Sequence, residues 1–244
     1  MRWQIEEDNR EAKQLLVRML ATSSDANIRL LVCVRPELTE EQRLHIDYRV
    51  SPEDRLSPLA WVLEEGRHDT DLLRRCANSA HPWLRRSAAA CPALPNDLVG
   101  QLARDNDFAV RLLLAENHPD APADLLLDLY LTSSHRAVDL LVRHPNFPTH
   151  DLAARFAQAL DPVYRRLAFL DPGLDPQALD ALSRHPHTRE QAAADPRLPL
   201  PRLRQMLADP DTSYAAAANP SLPAADMYRL LDDAGVSRWG PSMN

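Results

Sequence analysis

Apolar positions along this chain come in short helical groups separated by prolines, and the grouping repeats. Between Pro196 and Pro220, Leu203, Met206 and Leu207 fall at helical spacing on one face. Pro199 or Pro201 opens that helix, at a place where a missing N–H costs nothing. Asp209-Pro210 closes it and opens the next: the aspartate can cap, and the proline takes the first helical position. Tyr214 to Ala218 forms a second short helix. It stops at Asn219-Pro220, because a residue before proline is pushed out of the α region. The same joint recurs as Asp161-Pro162, His81-Pro82 and His185-Pro186.

The unit ends are marked by a Pro-x-x-Pro or Pro-x-Leu-x element: Pro36-Glu-Leu-Thr39, Pro92-Ala-Leu-Pro95, Pro119-Asp-Ala-Pro122, Pro145-Asn-Phe-Pro148, Pro172-Gly-Leu-Asp175, Pro196-Arg-Leu-Pro199 and Pro220-Ser-Leu-Pro223. From Pro92 onward the intervals are 27, 26, 27, 24 and 24 residues. The second helices share a frame, with arginine seven residues before proline in Arg29–Pro36, Arg85–Pro92, Arg165–Pro172 and Arg189–Pro196. Their alanines let neighbouring backbones approach closely. Helices of about two to three turns are marginal alone in water. Stacking must therefore supply the stability, cooperatively along the array. The pattern predicts an all-α fold, an α-solenoid of about seven to eight short helix-pair repeats of 24–27 residues.

Composition agrees. Among 244 residues there are 21 prolines and only 5 glycines, which suits punctuated helices and argues against glycine-turn hairpins. Nearly all basic residues are arginine, Lys13 being the only lysine, and the net charge is −7. A duplex nucleic-acid binder is usually basic, so a nucleic-acid partner is not expected. Three cysteines (Cys33, Cys76 and Cys91), none at CxxC spacing, predict small buried side chains and no disulfide framework. The N-terminal residues show no apolar signal core, and no stretch suffices for a membrane span, so the cytoplasm is the expected compartment.

The units R-x-x-A-A-x-x-P-x-L-P-x-x-x-L, such as Arg189 to Leu203 and Arg85 to Val99, resemble the leucine-rich repeat variant family of bacterial α-solenoids, which are HEAT-like in shape. The resemblance covers roughly residues 25–38 and 72–232. It implies a curved, right-handed stack without a generic activity. Some members carry an iron–sulfur cluster on an N-terminal cysteine cluster. This chain lacks those cysteines, so no cofactor is expected.

Residues 1–24 read as an N-terminal capping helix, 25–38 as a first repeat, 39–71 as an irregular repeat or insertion, 72–232 as regular repeats and 233–244 as a C-terminal tail carrying Trp239. In the first of these, Leu15, Leu16, Met19 and Leu20 are available for packing. Within the irregular part, Thr39 opens a helix with a variant capping box. Residues 45–58 read as a loop, and Leu59 to Glu65 returns to helix before Gly66 ends it. Insertions of this kind map to loops on one face, often the binding face.

The candidate chemistry is a stripe of guanidiniums, Arg29, Arg85, Arg111, Arg165 and Arg189, which a repeat array would line up. They could grip carboxylates or phosphates in bidentate fashion. Equally they could form a structural ladder, since an acid or histidine lies four residues before each: Asp25, His81, Asp107, Asp161 and His185. The aromatic residues Tyr48, Trp61 and Trp83, with Arg85, form the one candidate hot spot. Nine histidines are placed by the repeat and not at zinc spacing, so no metal is expected. No nucleophile elbow, phosphate loop or H-E-x-x-H is present, so no catalytic residue is named. The leading expectation is a non-enzymatic scaffold that binds a protein or peptide on a concave surface. Alternatives are a nucleic-acid-binding HEAT-like protein, such as an alkylated-base DNA glycosylase, and an accessory protein of a biosynthetic pathway.

Overall fold

The computed structural model describes residues 2–51 and 54–236, with side chains from Glu11 onward. Trp239 and the rest of the tail beyond Val236 lie outside the described residues. All regular structure described is helical. None of the described helices is long and apolar enough to cross a membrane. Two compact units follow one another, Met1–Pro148 and Thr149–Asn244.

In the first unit the helices are Arg2–Ala21, Ala26–Cys33, Glu40–Leu44, a π-helical turn Trp61–Glu65, then Thr70–Ala77, Pro82–Ala89, Asn96–Leu102, Phe108–Asn117, Ala123–Thr132 and a 3-10 helix Arg136–Arg143. From Thr70 onward they alternate as first and second members of pairs. Each first helix packs on its own second helix. Pro82–Ala89 packs on Phe108–Asn117, which in turn packs on Arg136–Arg143. The alanines of Pro82–Ala89 permit this, because Ala88 and Ala89 are wholly buried in the contact layer with Val110 and Leu114. In the second unit, Pro176–Ser183 packs on Arg189–Ala194, Leu200–Leu207 on Ser213–Ala217, and Arg189–Ala194 on Ser213–Ala217. One continuous core joins Leu179, Leu182, Ala192, Ala193, Leu203, Met206 and Ala216.

The joints explain why such short helices begin where they do. A helix leaves its first N–H groups without internal partners. Asp25 accepts from the Asn27 N–H at 2.8 Å, Asp107 from Ala109 at 2.8 Å and Asp161 from Val163 at 2.8 Å. His81 and His135 do the same through Nδ1, accepting from Trp83 at 3.2 Å and Ala137 at 3.3 Å. Histidine and aspartate are thus interchangeable as caps. Thr39 forms a full capping box with Gln42.

Residues before the unit-ending prolines form a second series. His118 accepts from the Asp120 N–H through Nδ1, and its Nε2–H is left to meet the Leu94 carbonyl of the preceding pair at 3.1 Å. His144 reaches the His118 carbonyl in the same way at 3.1 Å. In the second unit Asn219, buried, accepts from Ser221 and donates to the carbonyls of Ala193 and Asp195 at 2.7 and 2.8 Å. Arg197 donates to the Asp171 carbonyl at 2.6 Å. Each pair thereby satisfies backbone groups of the pair before it.

Two details depart from the sequence reading. Pro162 and Pro82 do stand in the first turn of a helix, but Pro186 and Pro210 stand in turns, and the helices start later, at Arg189 and Ser213. The reason is a buried threonine. The Thr188 hydroxyl donates to the Leu182 carbonyl at 2.7 Å and that of Thr212 to the Met206 carbonyl at 2.8 Å. Each holds its own residue at φ near −125° or −124°, outside the helix. The N-terminal helix also presents a different face. Val17, Leu20 and Ala21 pack toward Val32 and Cys33, whereas Leu15, Leu16 and Met19 are exposed. Positions 17, 20 and 21 share one face, which excludes 15, 16 and 19 from it.

Replacing Thr212 by valine keeps the shape and removes the hydroxyl, leaving the Met206 carbonyl buried without this donor. Urea denaturation of T212V should show a loss of about 1–3 kcal/mol.

Candidate interaction surface

The arginines of the series act first on backbone. Arg29 Nη1 donates to the carbonyls of Ser23 and Ser24 at 2.7 and 3.1 Å. Arg85 Nη1 donates to those of Ser79 and Ala80, both at 3.0 Å. Arg111 reaches the Asp105 carbonyl at 2.6 Å, and Arg165 reaches that of Ala159 through Nε at 2.9 Å. Each guanidinium therefore covers carbonyls just beyond the end of the preceding helix, where backbone acceptors lack helical N–H donors. In the last two joints Thr188 and Thr212 do this, and Arg189 is released to other contacts.

The remaining nitrogens reach forward. Arg85 grips Asp105 in a bidentate pair at 2.7 and 3.1 Å, Arg29 meets Asp47 at 3.3 Å, and Arg189 meets Asp211 at 2.6 Å and Asp209 at 3.8 Å. The acids four residues earlier do not pair with these arginines; they are occupied as caps. Arg85 is therefore tied into the fold with all three of its nitrogens engaged.

The aromatic candidates separate. Trp83 is buried, and its Nε1–H donates to the Ser57 carbonyl at 2.8 Å. Tyr48 is half-buried and stacks on the His81 ring, centroids 4.1 Å apart and planes 15° from parallel. Trp61 is half-buried in the π-helical turn that Gly66 closes by donating to the Trp61 carbonyl at 3.0 Å. Tyr48 lines an open groove of about 500 Å³ with Arg29, Leu30, Asp47, Arg49, Arg55 and Leu56. Trp61 lines a second, of about 610 Å³, with Pro36, Leu38, Arg43, Leu72 and Leu84 among its walls. Arg49 and Arg55 make no hydrogen bond or ion pair among the described residues.

One helix, Pro82–Ala89, fastens the irregular segment that walls the first groove. Beside the Trp83 bond, Arg86 Nη1 and Nη2 donate to the carbonyls of Asp54 and Ser51, each at 3.0 Å, and the Ser87 hydroxyl accepts from the Leu59 N–H at 3.0 Å. Arg86 is 1% exposed and closes a buried pair with Asp107 at 2.8 Å. Arg43, also buried, is held by Glu40 at 3.1 Å and caps the Cys33 carbonyl at 2.7 Å. Glu40 in turn accepts from the Ser79 hydroxyl and the Ala80 N–H. Neither Arg86 nor Arg43 stood out in the sequence, since their partners lie 8 to 35 residues away apart from Glu40. The only local signal is the doubled arginine at Arg85-Arg86, 20 and 21 residues before the Asp105 and Asp107 that receive it.

Burial pushes the thiols of Cys33 and Cys76 up to about 11, against the opposing charge of Arg43, so neither is a thiolate near neutral pH. His81 is pushed down to about 4, first by burial and then by the charges of Arg43, Arg85 and Arg86. Among the described residues no three of His, Cys, Asp and Glu gather in a group that could hold a metal ion. The arrangement offers side chains for gripping and packing. Comparison with protein-family models, with curated proteins and with solved structures gave no match.

Removing Arg86 leaves Asp107 as an unpaired buried charge. R86M should lose about 3–5 kcal/mol in urea denaturation. Amide exchange in residues 54–59 should accelerate beyond the change elsewhere. His81 provides a pH test. Its folded value lies below the ordinary 6.5, so the unfolded chain binds the extra proton between pH 6.5 and about 4. Stability should fall as pH drops through that window, and H81N, whose side-chain oxygen replaces Nδ1 as the capping acceptor, should flatten the slope.

Proposed function

We propose that this chain is a non-enzymatic binding scaffold for a protein or peptide, its helix pairs stacked as a right-handed α-solenoid like the leucine-rich repeat variant proteins its units resemble. The supporting observation is the pair of open grooves in the first unit, one of them walled by residues 47–49 and 54–56 of the segment that Pro82–Ala89 fastens. One groove is lined by Tyr48, Arg49 and Arg55, the other by Trp61. Aromatic and arginine side chains are the residues that most often carry binding energy at protein interfaces. A loop already held by Trp83, Arg86 and Ser87 loses little further entropy when a partner docks, so contact area converts into affinity more fully. The concave side of a stack would extend that surface. The acidic net charge of −7 favours a polypeptide partner over nucleic acid.

The test is capture of partners from the native host's lysate, with and without nuclease, by the wild-type protein and by the double variant W61A/R55E, which alters one wall of each groove. A protein recovered near stoichiometry, resistant to nuclease, and reduced about tenfold or more by the double variant at an unchanged melting temperature is the expected result. A catch that disappears with nuclease would overturn the proposal.

A further inference from the structure

At the end of the second unit the repeat is matched residue for residue. Arg189 faces Asp209 and Asp211, with Nη1 at 3.8 Å from one carboxylate and Nη2 at 2.6 Å from the other. One period of 24 residues earlier, Arg165, His185 and His187 hold the same three places. Asp47 supplies the carboxylate for Arg29, and Asp105 for Arg85. At Arg165 both acids are replaced by histidine.

The consequence is a guanidinium without a counter-ion. Arg165 is 9% exposed and donates through Nε and Nη2 to the Ala159 carbonyl, while Nη1 is shut off from solvent and meets no acceptor. No carboxylate among the described residues pairs with it, although a buried cation is costly unless paired. His185 stands close enough to respond: burial, then the charges of Arg165 and His187, hold its imidazole below the usual range. The His185 Nδ1 accepts from the His187 N–H at 3.4 Å, so in the neutral ring Nε2 carries the proton and is a donor. The two rings lie 5.8 Å apart, His185 half-buried and His187 exposed. On the same joint, Leu160 is 96% exposed and Val163 47%. Donors, unbalanced positive charge and an uncovered apolar rim therefore sit together, and the parts missing are a carboxylate and an apolar neighbour.

We infer that this rung is completed from outside: an acidic side chain of a peptide partner, flanked by an apolar residue, places its carboxylate on the imidazole N–H donors of His185 and His187, where it offsets the charge of the enclosed Arg165 guanidinium. The inference rests on the scaffold reading for the existence of a partner, but the site itself can be tested without one.

The probe is the capped dipeptide acetyl-Leu-Glu-amide in low-salt buffer, followed by the imidazole proton resonances of His185 and His187. Saturable shifts are expected with the wild-type protein, and none of comparable size with acetyl-Leu-Gln-amide. H187D puts a carboxylate 22 residues after Arg165, the separation of Arg189 and Asp211. It should raise the melting temperature by about 2–4 °C and weaken the dipeptide about tenfold or more, read at His185. Equal binding by H187D, equal shifts with the glutamine dipeptide, or no saturable shift in the wild type would overturn the inference. So would inorganic phosphate reproducing the shifts where the dipeptide gives none. A recovered partner without dipeptide shifts would sink this site alone; dipeptide shifts without a recovered partner would sink the scaffold reading and not the site.

Discussion

Backbone groups at the ends of short helices are the constraint on which this structure depends. A helix of five to eight residues has more unpartnered N–H and C=O groups at its ends than it has internal bonds. Stacking such helices side by side buries those ends, where an unmet polar group costs far more than one hydrogen bond returns. Side chains at fixed places in the repeat meet the need. Aspartate or histidine caps the starts, arginine or threonine covers the ends, and His118, His144 and Asn219, each before a unit-ending proline, reach back one pair. Because the last set crosses between pairs, a single pair excised from its neighbours would carry open backbone groups as well as an open apolar face. Cooperativity here is a matter of hydrogen bonding as much as of hydrophobic burial.

The same logic explains how an extended segment is kept in place within the first unit. Pro82–Ala89 presents alanines to the core and Trp83, Arg86 and Ser87 to the segment, so one helix serves both. The segment contributes mostly carbonyls and one N–H, and its own sequence needs little regularity to be held. That leaves Arg49 and Arg55, which make no hydrogen bond or ion pair among the described residues, free of structural duty.

Chain-local signals were the ones the sequence displayed well. The capping box at Thr39 and the stop at Gly66 rest on a few adjacent residues, and each stands where it was read. Signals that depend on distant partners were not legible. Arg29, Arg85 and Arg189 pair with acids 18 to 22 residues ahead, not with the residues four behind. Trp83 belongs to the core and to Ser57, not to a surface cluster with Tyr48 and Trp61. Helix starts at Arg189 and Ser213 were hidden by buried threonines whose hydroxyls look ordinary in one dimension. Which of Leu15, Leu16, Val17 and Leu20 faces inward on the N-terminal helix depends on the neighbour it meets.

The equivalence of histidine and aspartate at the caps has a genetic corollary. The codons of these two amino acids differ by one base in the first position. A point mutation can therefore exchange a neutral or titratable cap for a permanently anionic one with little disturbance of the backbone. Along a row of equivalent joints, the pattern of charge can drift rapidly between lineages while the helical framework stays fixed. Orthologues of similar shape could then differ in the ionic strength and acidity they tolerate.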